Sequence, residues 1–194
     1  MPDYHVLYLT GPPATGKSTV SRFLGQLLAP VAVFEYGERL TGLLASRYAE
    51  LTQAEVRTLS ADIATSSDIR ALDSELLDFI EENRGSRHVV LDSHAVTKES
   101  YGYRVVPFPV DSLARLQPSM IVVLYSSADI VVERIARDAA GRAPVTPWEA
   151  DFHTYLQAQV AVSYAVATGA PLHLVDVACG SELAARTIVQ RLGD

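Results

Sequence analysis

The stretch GPPATGKST, residues 11–19, gathers two glycines, a lysine and two hydroxyls into nine residues. Its spacing is G-x-x-x-x-G-K-[ST], and each residue type answers a need of phosphate binding. Gly11 and Gly16 open backbone conformations closed to residues with a Cβ, so successive N–H groups can converge on an anion. Lys17 adds a point charge for the β- and γ-phosphates, Ser18 offers a hydroxyl to Mg²⁺, and Thr19 can reach the α-phosphate. The prolines donate no N–H and stiffen the loop. Gly11, Pro13, Ala14, Thr15, Gly16, Lys17, Ser18 and Thr19 are therefore the predicted ATP cradle. A glycine-rich turn with a solvated lysine would use similar residues, but here an apolar run precedes the loop and helical spacing follows it.

A carboxylate for the metal is predicted from VVLDS at 89–93, where Asp92 ends an apolar run. In open α/β sheets the strand ends carry the ligand site, so Asp92 joins Ser18 as a candidate Mg²⁺ ligand. A third feature is the run of arginines in VERIARDAAGR, 132–142. Arg134 and Arg137 share a helix face by spacing, and Arg142 follows in a break rich in Gly and Pro. Cations on a closing flap suit phosphoryl transfer, because charge spreads over the transferred group. A solvated helix face paired with Glu133 and Asp138 would show the same spacing.

These residues need elements to hold them. Strands are predicted at 4–10, 31–36, 88–92, 119–126 and 172–177, and helices at 17–28, 37–49, 60–83, 126–140, 148–168 and 181–192. TQAE at 52–55 reads as a further helix start, and 93–109, with Gly102, Pro107 and Pro109, reads as a loop. Strands alternating with helices imply a parallel sheet covered on both faces. The expected fold is one α/β domain over residues 1–194, a three-layer α/β/α sandwich with a five-stranded parallel sheet. Two segments read as inserts at its edge, about 38–70 and 138–150.

Composition bounds the function. A formal charge of −7 argues against nucleic-acid or anionic-membrane binding driven by bulk charge. The single cysteine, Cys179, rules out an internal disulfide and fits a cytoplasmic protein. The start has no leader pattern, and no apolar run is long enough for a transmembrane helix. No N-K-x-D segment marks a guanine site, and 194 residues are short for the usual motor or AAA module with its extra domain. His5, His88 and His173 read as structural, His153 as exposed on a helix, and Trp148 as a packing anchor. Arg39 and Arg47 flank the site for a second substrate and Arg70, on the long helix, could reach that substrate's phosphate, but solvated roles are as well supported for each.

The ordered motifs resemble the archaeal-type adenylate kinases, a branch of the P-loop nucleoside monophosphate kinases. GPPATGKST, FEYGERL at 34–40, EVRTLS at 55–60, LDSHAV at 91–96 with SYGYRVVPFP behind it, VERIARD at 132–138 and AVATGAPLHLVDV at 165–177 occur in the family's order across nearly the whole chain. The resemblance implies a P-loop NTP hydrolase-like fold with a short lid and an NMP-binding insert. It implies transfer of the γ-phosphoryl group of Mg-ATP to a nucleoside monophosphate, most simply AMP. By position, Tyr36 and Gly37 would line the acceptor base or ribose and Arg57 would grip its phosphate. His94 and Tyr103 would lie close to the acceptor. Lys17, Arg134, Arg137 and Arg142 would be catalytic. Archaeal members are often trimers, so a homo-oligomer is expected. One departure stands out: the family often carries an arginine in the helix after the lid, whereas YLQAQVAVSYAV has Gln157 and Gln159. A P-loop kinase with another acceptor (CMP, a nucleoside or another hydroxyl compound) and a nucleotide-binding regulatory ATPase are the alternatives.

Overall fold

The computed structural model of the chain describes residues 4–48, 50, 55, 59, 62–137 and 143–192. Five parallel strands form one sheet: β1 (Val6–Thr10), β2 (Val31–Glu35), β3 (His88–Asp92), β6 (Met120–Tyr125) and β7 (Leu172–Asp176), in the order β2-β3-β1-β6-β7. β1 lies at the centre and is buried along its whole length, which is why it reads as an unbroken apolar run rather than an alternation.

Alternation reappears in what each side chain meets. Val6, Tyr8, Leu91, Ile121 and Val123 face Leu72, Leu76 and Ile80 of α3 (Ser66–Asn83) and Tyr164 of α6 (Pro147–Thr168). Leu7, Leu9, Val90, Val122 and Leu124 face Val20 and Leu24 of α1 (Lys17–Leu27) and Ala185 and Ile188 of α7 (Ser181–Leu192). The result is the predicted three-layer sandwich, to which α2 (Tyr36–Arg47), α4 (Val110–Leu116) and α5 (Ala128–Ala136) also contribute helices.

Three expectations change. The segment 93–109 is not a plain loop: β4 (Val96–Glu99) and β5 (Gly102–Val105) form an antiparallel hairpin, with Val96 opposite Val105. Gly102 is no breaker here, since its φ of +138° closes the short turn that a β-rich flank on each side can use. The long helix starts at Ser66 rather than at 60, because Thr65 caps it: its hydroxyl accepts from Asp68 N at 3.3 Å, and Asp68 accepts from Thr65 N at 2.8 Å. α4 fills part of a stretch for which no element is predicted. Of the predicted inserts, residues 38–47 continue α2, 66–70 begin α3, and 147–150 form the first turn of α6. Most of the TQAE segment lies outside the described residues.

Candidate active site

β1 delivers the chain to Gly11 at the C-terminal edge of the sheet. A Cβ on Gly11, whose φ is +151°, would lie 2.5 Å from the Leu124 carbonyl oxygen, so only glycine lets the loop pass β6 this closely. Gly16 precedes α1 in a left-handed conformation, φ +83°, and α1 starts with neither a capping side chain nor an acidic residue in its first turn. Its first N–H groups are thus left for an anion. Within the loop, the Thr15 hydroxyl donates to Pro12 O at 2.8 Å, and Ala14 takes a positive φ of 64°. That conformation costs a residue with a Cβ about 1–2 kcal/mol. Arg134 braces it, its Nη1 donating to Ala14 O at 3.2 Å.

Lys17 Nζ stands 3.7 Å from Asp92 Oδ1, with both side chains largely buried. Burial pushes the Asp92 carboxyl above its usual pKa, while the Lys17 ammonium pulls it down. Ser18 is exposed on the first turn of α1 and Thr19 half-buried. The Ser18 hydroxyl and the Asp92 carboxylate would offer an all-oxygen donor set. That set suits Mg²⁺, which takes one or two protein oxygens and completes its shell with phosphates and water.

Sequence reasoning missed Glu35. It ends β2 in direct register with Asp92. Burial raises its pKa first, then a hydrogen bond with Glu38 and the charge of Asp92, against the pull of Lys17. An open cleft here is lined by Val33, Glu35, Glu38 and Arg39. The signal was available, since FEYG ends the second apolar run with an acid as VVLDS ends the third.

The predicted acceptor residues separate. A Cβ on Gly37 would lie 3.6 Å from His94 Cε1, so these two are side by side. Tyr36 is half-buried against Phe34 and Phe108, and its hydroxyl donates to Asp73 Oδ1 at 2.8 Å. Tyr103 is committed to α6: its hydroxyl donates to Glu149 O at 2.9 Å and its ring meets Phe152 and His153 edge-on. Arg57 and Arg142 lie outside the described residues. Arg134 and Arg137 share a helix but not a target. Arg137, at the end of α5, has a side chain 77 % exposed and pairs with Glu133 at 2.5 Å. Arg39 lies over the Phe34 and Phe79 rings beside Glu75, and Arg47 grips Asp68 with both terminal nitrogens.

His153 is not exposed. It is buried, with Nε2 at 3.1 Å from Val96 O, because the β4–β5 hairpin covers the α6 face that carries it. Gln157, 1 % exposed, accepts from the Thr10 hydroxyl at 3.2 Å and donates to Val96 O at 3.1 Å. This amide therefore ties the strand that enters the phosphate loop to the hairpin. Gln159 is exposed, and Trp148, 67 % exposed, stacks on Phe152 at 4.9 Å.

Residues 10–150 match the family described as an AAA domain. The chain is 24 % identical over 179 residues to the adenylate kinase of Methanococcus aeolicus, covering 89 % of each protein. Its fold is that of the shikimate kinase from Acinetobacter baumannii, TM-score 0.59 at 14 % identity over 97 % of this chain and 93 % of that one. A gluconokinase from Sinorhizobium meliloti matches at TM-score 0.56 and 15 % identity, over 100 % of this chain and 94 % of that one.

Proposed function

The chain belongs to the AAA domain family and is an ATP-dependent phosphotransferase of the P-loop kinase kind; on that premise we propose that its acceptor is a nucleoside monophosphate, AMP first. The observation that carries the reading is the 3.7 Å approach of Lys17 to Asp92 at the start of a helix that has neither a capping side chain nor an acidic residue in its first turn. One ammonium and one carboxylate there serve a triphosphate and its metal together. The similarity to adenylate kinases over most of the chain favours AMP as acceptor.

In this reading residues 11–19 hold the triphosphate, and Lys17 neutralises its outer end. Ser18 and Asp92 would hold Mg²⁺, which when bound offsets charge on the β- and γ-phosphates. Arg134 keeps the loop in shape through Ala14. Gly37 and His94 border the acceptor, with Arg57 on its phosphate. A phosphate oxygen is already anionic, so the transfer needs positioning and charge neutralisation rather than a base.

A second reading rests on Glu35. Carboxylates from Glu35, Glu38 and Asp92 outnumber the neighbouring cations Lys17 and Arg39, which opposes a doubly charged acceptor and suits a hydroxyl compound. Mg-ATP incubated with AMP, CMP, nucleosides and polyols, with products separated, decides between them. ADP formed from AMP much faster than phosphate from water supports the first reading. Turnover confined to hydroxyl compounds replaces it with the second, and ATP binding without transfer leaves a regulatory protein.

A further inference from the structure

We propose that the Ser126 hydroxyl belongs to the ATP site, where it donates a hydrogen bond to a phosphate oxygen of the bound triphosphate. The proposal rests on the ATP-donor reading above and adds a residue that no motif contains.

Ser126 is 5 % exposed, and its Oγ has no hydrogen-bond partner among the described residues. A buried hydroxyl in that state costs about 1–3 kcal/mol, and folded proteins keep few of them. Its position shows what it awaits. β6 pairs with β1, with Val123 opposite Thr10, and the Leu124 carbonyl oxygen touches the space a Cβ on Gly11 would fill. Met120, Val122 and Leu124 face α1 and α7. Extended one residue past the end of β6, the same alternation would place Ser126 on the side where the loop enters α1. Two residues later α5 begins, and its Arg134 reaches Ala14 O. The chain thus meets the phosphate loop just before Ser126, at Gly11, and again after it, at Ala14. Beyond the C-terminal ends of parallel strands is where such sheets take their ligands.

Ser21 is the other buried serine hydroxyl without a partner among the described residues, but it lies inside α1, where a carbonyl of its own helix is one rotation away. Ser126 follows a strand end and has no such resource. A phosphate oxygen there would accept a charge-assisted hydrogen bond, which is worth more than a neutral one.

The test uses the full chain and two readouts that a merely structural serine would not drive apart. Ser126→Ala removes the orphaned group, so unfolding without nucleotide should shift up by about 2–4 °C. Calorimetric titration with Mg-ATP and with tripolyphosphate should show both affinities falling about tenfold or more. Ser126→Thr, which keeps the hydroxyl, should bind as the parent does. An alanine variant that is less stable, or that binds as tightly as a parent that does bind ATP, overturns the proposal and leaves the ATP reading standing. Loss toward ATP but not tripolyphosphate moves the contact to the nucleoside and overturns the phosphate assignment. A parent protein that binds no ATP removes the reading itself and the proposal with it.

Discussion

Lys17 Nζ lies 3.7 Å from Asp92 Oδ1, joining the first turn of α1 to the end of β3. The two residues are 75 positions apart, and β1 lying beside β3 brings them together. Lys17→Ala should lower kcat/KM at least about a hundredfold, with the circular dichroism spectrum unchanged. Asp92→Asn should raise the Mg²⁺ concentration needed for half-maximal rate. A lysine variant that keeps its turnover would remove the phosphate cradle from the argument.

Arg134 and Arg137 should behave differently although they sit three apart. Arg134 braces Ala14 in its left-handed conformation, while Arg137 is paired with Glu133 in solvent. Arg134→Ala is expected to weaken ATP binding and lower kcat by tenfold or more, and Arg137→Ala to change each less than threefold. Steady-state kinetics on both variants checks this, and the reverse order would show that α5 rotates when substrates bind.

Gln157→Leu should deprive the Thr10 hydroxyl of its Gln157 acceptor, while Val96 O keeps its contact with His153. Losing the amide should cost about 1–3 kcal/mol of stability in denaturant titration. Because the amide links the loop's strand to the hairpin, KM for the acceptor should rise more than KM for ATP. Equal changes in both would reduce Gln157 to packing.

Glu149 gives a pH prediction. The Thr146 backbone N–H, first, then Lys98 and the Thr146 hydroxyl hold its carboxyl down at about 2. A folded-state value below the unfolded one means that the unfolded chain binds more protons, so the stabilisation is complete above about 4.5 and fades as pH falls toward 2. Melting temperatures of the parent and Glu149→Gln should differ near neutrality and converge in acid. A constant difference across that range would show that the cap and the Lys98 pair contribute nothing through charge.

Much of this could be read before folding. Strand ends came out within a residue or two wherever an apolar run met Gly, Pro or a capping pattern. The hairpin escaped notice because Gly102 and Pro107 read as loop residues, and only the pairing of Val96 with Val105 makes that stretch a sheet. His153 was misjudged because polar and apolar residues are mixed round α6, so its period could not show which face the hairpin covers.

The residues themselves determined the cradle, since two glycines, a lysine and a strand before a helix specify local backbone geometry that needs no distant partner. Packing decided what surrounds it. Helical spacing places Arg134 and Arg137 on one side of α5, yet the position of α5 against the loop turns one inward and leaves the other in water. Strand order decided that Glu35 stands beside Asp92 and that Ser126 follows a strand pressed against Gly11. Such neighbours arise from contacts between segments far apart in the chain, and local periodicity carries no record of them.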